Sequence, residues 1–306
     1  MTLYKNTSLS KLMDLKVDVA FDQVFGSAHQ GSIVSFFNAL LERSSQQKIQ
    51  RIIKRDSFTD EKDSNTSIQY NALTKNGKKL ILLVNFMNHF DIVNRSVYYA
   101  TKIFSEQLLN DLHSVIVINL LSYDLLNQSE SYHTSYLLQE SKTTTPLNDF
   151  FELHFFEYPK LLEAWETKRV DPWNDAKIRW LLLLALIDAR NDVVHGDIYK
   201  EIDLISLRDD HIRAILERWK EVSQSKEDYA IYEERLKHTL EVETAVRKAK
   251  QREDAAFEKG SKKKQLEIAK KMLDENIDLQ AIAKITGLSL REVQALKQYV
   301  RGNRTK

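Results

Sequence analysis

A β-hairpin followed by a helix constrains the fold of this chain more than any other feature. The run Ser67–Thr74 favours a β-strand, Lys75-Asn76-Gly77 has the composition of a tight turn, and Lys79–Met87 is a second, more apolar strand. Asparagine and glycine supply the positive φ angles that such a turn requires. We therefore expect two paired strands and then a helix that includes Arg95 and ends near Leu109.

The strands after this hairpin indicate an α/β protein with a mixed sheet. Ser114–Ser122 is β-branched and apolar on both faces, which is typical of a central strand in a sheet covered by helices. Tyr132–Gln139 and Phe151–Tyr158 are predicted as further strands. The other expected core elements are helices at Leu15–Gly26 and Ser32–Leu41, a strand at Ile49–Ile53 and a polar loop at Arg55–Thr66.

Composition describes an ordinary globular protein without cysteine. The chain has 306 residues, of which 42% are hydrophobic and 29% are charged, with a formal net charge of +1. Global charge therefore predicts no partner. The lack of cysteine excludes disulfides, thiolate zinc sites and cysteine nucleophiles, and it fits a reducing compartment. The longest apolar run, Trp180–Ile187, is too short to span a bilayer and no signal peptide is visible, so we expect a cytoplasmic protein with no membrane partner.

Two short motifs carry a family resemblance. Residues 18–26 read Asp-Val-Ala-Phe-Asp-Gln-Val-Phe-Gly, and Arg95 is followed three and four residues later by Tyr98 and Tyr99. In this order and at these intervals, the motifs resemble those of the PD-(D/E)XK recombination-promoting nucleases and transposases. The resemblance extends from Lys11 to the C-terminus. It implies a restriction-endonuclease-like mixed sheet flanked by helices, and a magnesium-dependent DNA endonuclease that promotes recombination in a bacterial cell.

The residues at the catalytic positions of that family depart from its chemistry. The family carries an aspartate on the first hairpin strand, and a glutamate and a glutamine on the second. Counting back from Arg95, these positions hold Gln69, Leu83 and Asn85. Magnesium prefers carboxylate oxygens, whereas glutamine offers a neutral carbonyl and leucine offers no ligand. We therefore expect weakened or lost cleavage, and no cofactor unless the protein is an active enzyme that binds magnesium. The catalytic positions implied by the resemblance are Asp18, Gln69, Leu83, Asn85 and Arg95.

Other acidic and histidine residues leave alternatives open at this stage. In the family, Asp18 helps to complete the metal site, but it also fits a carboxylate placed at a helix N-terminus by the helix dipole. Asp63 precedes the first catalytic position by six residues, roughly 20 Å of extended chain, which argues against its replacing the missing aspartate. Three histidines, His113, His133 and His154, lack ligand spacing on one element and are interpreted as strand-face or surface residues.

The C-terminal half predicts helices followed by a basic segment. Ala176–Arg190 is a strongly apolar helix, and more polar helices follow it as far as Phe257. Between residues 247 and 264, eight basic side chains stand against three acidic ones. Such a segment either binds nucleic-acid phosphates or forms a solvated linker helix. The sequence Glu-Lys-Gly-Ser-Lys at 258–262 resembles the linker repeats of the family.

A helix-turn-helix-like unit is predicted at the end of the chain. Ala283, Gly287 and Val293 have the spacing of this motif, in which the small alanine allows close helix packing and the glycine allows the turn. Ser289 and Glu292 form a capping box at the start of the last helix. In DNA readers this helix start enters the major groove, whereas the alternative is a helical module that packs its own apolar face or mediates dimers. Candidate nucleic-acid contacts are Lys262, Lys263, Lys264, Arg291, Gln294, Lys297 and Arg301.

The sequence thus predicts three regions and a DNA partner. The regions are a nuclease-like α/β core at 11–165, a helical region at 166–257, and a basic linker with the helix-turn-helix-like unit at 258–306. We expect a DNA-binding relative of these nucleases, which also pairs with active relatives or with itself. The alternatives are an active magnesium-dependent endonuclease with a rearranged ligand set, and a protein-interaction module with no nucleic-acid role.

Overall fold

The computed structural model describes residues 11–26, 30–60, 63–86, 91–109 and 111–304, with only the backbone described at 57–60, 63–66 and 301–304. The chain separates into two units, Met1–Glu243 and Thr244–Lys306. The predicted region boundaries at 165 and 257 stay predictions. Within the described ranges, no helix is long and apolar enough to cross a membrane.

A six-stranded mixed sheet organises the first unit. Its spatial order is β1-β2-β3-β4-β6-β5, where β3, β4 and β6 run parallel and the remaining neighbours are antiparallel. The central strand β4 is buried along its whole length, because its apolar side chains meet helices on both faces. The predicted α/β mixed sheet is therefore confirmed. The strands are β1 Ile49–Asp60, β2 Asp63–Thr74, β3 Lys79–Asn85, β4 Ser114–Leu121, β5 His133–Leu137 and β6 Phe151–Glu157.

The hairpin at the centre of the sequence prediction joins β2 to β3. Gly77 has a φ of 83°, the left-handed conformation that the Asn-Gly turn was expected to need. The predicted loop at Arg55–Thr66 is wrong, because β1 continues to Asp60 and pairs with β2 from Asp63 onward. Backbone hydrogen bonds across a two-stranded ribbon do not require apolar side chains. The polar composition of these residues therefore led to the wrong prediction of a loop. The predicted end of the second strand, Met87, lies outside the described residues.

Helices cover the two faces of the sheet unequally. One face packs against the larger apolar core, in which the ring of Phe36 contacts the rings of both Phe21 and Trp180. The other face packs against a smaller cluster that includes Tyr99 and Ile103 of the helix containing Arg95. The helices are α1 Asp18–Phe25, α2 Gln30–Leu41, α3 Ile92–Ser105, α4 Tyr158–Glu166, α5 Ala176–Ala185, α6 Gly196–Ser206, α7 Asp210–Gln224 and α8 Lys226–Asp274.

Three predicted helix boundaries differ from the structure. The helix that includes Arg95 ends at Ser105 rather than near Leu109. The apolar helix ends at Ala185 rather than Arg190, because the chain turns into a short hairpin of β7 Ile187–Asp188 and β8 Val193–Val194. Helix α8 runs without a break through 258–262, where a linker was expected. Glycine inside a helix costs about 1 kcal/mol relative to alanine. The lysine, glutamate and alanine residues around Gly260 favour a helix strongly enough to offset that cost.

The second unit contains the predicted helix-turn-helix-like fold, made from the end of α8, α9 Leu279–Thr286 and α10 Leu290–Arg304. The side chain of Asp278 caps α9 by accepting hydrogen bonds from the amides of Gln280 and Ala281 at 2.9 and 3.2 Å. Gly287 ends that helix with a φ of 72°, a left-handed cap that glycine adopts readily. The unit encloses its own core, made of Ala269, Ile282, Leu288 and Val293.

Candidate functional site

The first two predicted catalytic positions lie opposite each other on neighbouring strands. Gln69 of β2 pairs directly with Leu83 of β3, so their side chains emerge on the same face of the sheet. Leu83 is fully buried in the cluster with Tyr99 and Val117, whereas Gln69 is half-buried. The β2–β3 pairing therefore brings these two positions together, but the predicted glutamate position is occupied by an apolar side chain in an apolar environment.

The third position, Asn85, belongs to a buried hydrogen-bonded chain that we call the amide network. The Ser67 hydroxyl donates to Asn85 Oδ1 at 2.5 Å, and Asn85 Nδ2 donates to Asn119 Oδ1 at 2.9 Å. The same Asn119 oxygen lies 3.0 Å from the Ser96 hydroxyl of α3. Asn119 Nδ2 donates to the His154 carbonyl oxygen at 3.1 Å. Every group in this chain is neutral, and each side-chain amide is satisfied by protein atoms.

The sequence did not identify the partners of Asn85, although one signal was present. Asn119 is fully buried in β4 and is the one polar residue between Val115 and Leu121. A polar side chain in a strand buried on both faces must find a hydrogen-bond partner, because an unsatisfied buried amide is costly. That signal could have placed Asn119 next to a polar residue of a neighbouring strand.

Asp18 is held by an arginine from the first part of α8. The guanidinium of Arg235 donates to both carboxylate oxygens, with Nε at 2.9 and 3.0 Å and Nη2 at 2.7 Å. Asp18 is only 7% exposed and also accepts from the amide of Val19, at the start of α1 as the sequence predicted. Helix α1 packs in the same core as Leu82, on the face of the sheet opposite to Leu83. Helix α1 and Leu83 thus lie on opposite faces of the sheet, and the contacts of the Asp18 carboxylate are with Arg235 and the Val19 amide.

Arg95 lies on the same side of the sheet as Leu83. It is half-buried near the start of α3, and its Nη1 is 3.5 Å from the Tyr99 hydroxyl. Tyr98 beside it is 48% exposed. The arginine and tyrosines of the family motif are thus present on one helix, but no carboxylate stands at the paired strand positions next to them.

These residues do not fit a magnesium site. Magnesium needs several oxygen ligands in near-octahedral geometry, and it takes one or two carboxylates where a protein holds it. Gln69 is neutral and Leu83 is apolar, while Asn85 is hydrogen-bonded and Asp18 is paired with Arg235. Across the described residues, no group of three or more histidine, aspartate or glutamate side chains could hold a metal ion.

His133 of β5 and His154 of β6 are far apart in the sequence but lie side by side in the sheet. His133 Nε2 lies 3.1 Å from His154 Nδ1, and His154 Nε2 lies 3.3 Å from Glu152, which is bonded to Arg43 at 2.5 Å. Burial lowers the pKa of His133 to about 3, and the nearby charges of His154 and Lys177 act in the same direction. Both histidines lie on the face of a strand, as predicted. They are neighbours because β5 pairs with β6, which the spacing in the sequence does not show.

The second unit presents its polar residues on α10 and the end of α8. Ser289 and Glu292 form the predicted capping box, with the Glu292 carboxylate accepting from the Ser289 amide at 2.8 Å. Lys262 forms an ion pair with Glu292, and these contacts lower the pKa of that carboxyl to about 2. Arg291 and Gln294 are exposed. The other predicted contacts are Lys263 and Lys264, both exposed, Lys297, half-buried, and Arg301, whose side chain lies outside the described part.

Comparison with known proteins gives two matches along the chain. The family model described as PD-(D/E)XK nuclease family transposase matches residues 15–249. The model described as the C-terminal helix-turn-helix domain of the Rpn/YhgA-like nuclease family matches residues 262–298. No curated protein and no solved structure matches the chain.

Proposed function

Since the chain belongs to the PD-(D/E)XK nuclease family of transposases, we propose that it is a DNA-binding protein whose magnesium-dependent cleavage is weakened or lost. The observation that carries the proposal is the chemistry of the paired strands. The positions of the metal-binding acids hold Gln69 and Leu83, and the adjacent amide network satisfies Asn85 with neutral partners. A nuclease of this type uses its carboxylates to hold the metal that activates water.

DNA binding is assigned to the second unit. The N-terminal end of α10 exposes Arg291 and Gln294, and an arginine can bond both acceptors of a guanine edge in the major groove. Lys263 and Lys264, both exposed, follow Lys262, whose side chain pairs with Glu292 of α10, and they add positive charge. The Lys262–Glu292 pair fixes the start of α10, so we assign Lys262 a positioning role at the helix start in addition to any phosphate contact.

We expect duplex binding that weakens with salt and depends on α10. The double variant Arg291→Ala with Lys297→Ala should bind a mixed-sequence duplex roughly tenfold or more weakly than the wild type. Its slope of log affinity against log salt should fall by about one for each lost phosphate contact. Fluorescence anisotropy over a salt series measures both quantities. The matched control is Lys226→Ala with Lys237→Ala, which removes two exposed lysines of the first unit.

The outcomes of this titration separate the candidate functions. Binding that is unchanged in the α10 variant would contradict the placement of the DNA contacts. An equal loss of DNA affinity in the control variant would show that the affinity depends on the total charge of the protein and not on α10. If the wild type binds no duplex at low salt, the proposal fails and an interaction module without a nucleic-acid role is favoured.

We also expect no cleavage of supercoiled plasmid in magnesium or manganese. The residues at the catalytic positions supply no carboxylate pair that could hold the metal. Gel assays of nicked and linear product, with EDTA as the metal-free reference, check this. Nicking that EDTA stops and that Gln69→Ala abolishes would establish an active nuclease with a rearranged ligand set. Nicking that Gln69→Ala and Asp18→Ala both leave unchanged would indicate a contaminating enzyme.

A further inference from the structure

The outer edge of the sheet at β5 is exposed and apolar. In the described part of the chain, β5 is the last strand of the sheet and pairs only with β6. Its residues Tyr136 and Leu137 are 49% and 46% exposed, and Leu138 directly after the strand is 44% exposed. Exposed strand edges with apolar side chains are uncommon in proteins that stay monomeric, because they offer a template for another strand.

The phase of the β5–β6 ladder shows which backbone groups face outward. The Glu157 amide donates to the Tyr132 carbonyl, so even-numbered residues of this strand bond inward to β6. The amides and carbonyls of His133, Ser135 and Leu137 therefore point away from the sheet. The Ser131 side chain bonds the His133 amide and carbonyl. Within the described residues, Ser135 and Leu137 are left with two donors and two acceptors directed away from β6.

The opposite edge of the sheet, β1, has the features that normally prevent strand addition. Its pairing with β2 contains register shifts between Ile49 and Arg51 and between Ile52 and Lys54. Exposed charged side chains, Arg51, Lys54 and Arg55, lie along the same stretch. Bulges and charges of this kind protect an edge, and β5 has neither within its range.

From these observations we propose that β5 is a dimerisation edge, on which a second copy of this chain adds its own β5 in the antiparallel direction. A two-fold axis at Tyr136 places Ser135 opposite Leu137 of the partner subunit, and Leu137 opposite the partner's Ser135. This register joins all four outward groups of each strand into hydrogen-bonded pairs and sets the two Tyr136 rings side by side. An axis at Ser135 would instead use the backbone of His133, which Ser131 already occupies.

Charges beside the strand suit the same arrangement. Glu130 precedes β5 with a side chain that is 97% exposed, and Lys142 follows the strand and is exposed. The Glu140 carboxylate bonds to its own turn through the amides of Lys142 and Thr143 at 3.0 and 2.5 Å. Glu130 also lies 4.0 Å from Arg169 of its own chain. Antiparallel pairing directs Glu130 of one copy toward Lys142 of the partner subunit, so the exposed charges at the two ends of the strand have opposite signs. This inference does not depend on DNA binding.

The oligomeric state of the full chain tests the proposal. We expect sedimentation velocity to show a concentration-dependent dimer for the wild type and a monomer for Ser135→Pro. Proline removes an outward amide but keeps the inward ladder, and an edge strand tolerates it. Leu137→Lys is the second variant, and we expect it to weaken the dimer as well. Ile53→Lys, with a parent side chain 47% exposed on the opposite edge, is the matched control and should dimerise like the wild type.

Each outcome decides the matter. A wild type that stays monomeric at 100 μM, a dimer that persists in both folded β5 variants, or equal loss of the dimer in Ile53→Lys would each overturn the proposal. Melting curves establish that the variants fold. If Ser135→Pro does not fold, Leu137→Lys gives the result on its own.

Because the chain has no cysteine, single cysteines test the register directly. Tyr136→Cys should form a disulfide-linked dimer readily, since its Cα lies about 4.5 Å from the partner's across a non-hydrogen-bonded pair. Ser135→Cys alone should not, because the same residue of the partner lies roughly 8–9 Å away. Mixing Ser135→Cys with Leu137→Cys should restore crosslinking. Equal yields from Tyr136→Cys and Ser135→Cys would overturn the proposed register.

Discussion

Replacing Leu83 by glutamate is expected to destabilise the protein severely rather than to restore a metal site. Leu83 is fully buried against the apolar side chains of Tyr99, Val115 and Val117. Burying an unpaired carboxylate among apolar side chains costs at least about 3–5 kcal/mol, even when the group takes up a proton. Urea unfolding and thermal melting should show this loss for Leu83→Glu and for the double variant Gln69→Asp with Leu83→Glu.

Two companion variants separate charge from shape at this position. Leu83→Met conserves volume and should cost less than about 1.5 kcal/mol. Gln69→Asp changes a half-buried residue and should cost less than Leu83→Glu. If millimolar magnesium instead raises the melting temperature of the double acidic variant and supports plasmid nicking, a binding site has been rebuilt. The account of an apolar, metal-free position would then be wrong.

Truncating Asp18 to alanine is expected to cost about 3–5 kcal/mol of folding free energy. The change leaves the Arg235 guanidinium, which donates three short hydrogen bonds to that carboxylate, partly buried and unpaired. Asp22 on the same helix provides the control, because its pair with Arg55 is about one third exposed on both sides. Asp22→Ala should therefore cost less than about 1 kcal/mol.

A double-mutant cycle tests whether the Asp18 effect arises from this pair. Arg235→Met removes the cation and keeps the apolar stem, so the double variant should recover part of the loss seen for Asp18→Ala alone. Strict additivity would mean that the two residues are not coupled. Wild-type stability in folded Asp18→Ala, combined with loss of metal-dependent cleavage, would instead return Asp18 to a catalytic role.

Local sequence signals predicted much of the fold because their physical causes are local. The turn at Asn76-Gly77, the cap at Asp278 and the left-handed end at Gly287 each depend on the conformational preferences of a few neighbouring residues. The buried strand Ser114–Leu121 was recognisable because both of its faces are apolar. The pairing of Gln69 with Leu83 is a register that the spacing alone did not specify.

What the sequence did not reveal depends on contacts between distant residues. The partner of Asp18 is Arg235, 217 positions away, and no local pattern points to it. His133 and His154 meet only because β5 lies beside β6. The polar end of β1 was misread as a loop because its hydrogen bonds come from β2 rather than from burial of its own side chains.

The amide network has an evolutionary consequence. Asn85, Asn119, Ser96 and Ser67 satisfy one another, so a carboxylate that replaced any one of them alone would strand its neighbours' hydrogen bonds. The acids of the family stand at the positions of Gln69 and Leu83, outside this network, and the family residue at the position of Asn85 is a glutamine. Because Asn85 shares hydrogen bonds with residues of three other elements, a change at this position would have to be accompanied by changes in its partners, and the network would evolve as a set rather than one residue at a time.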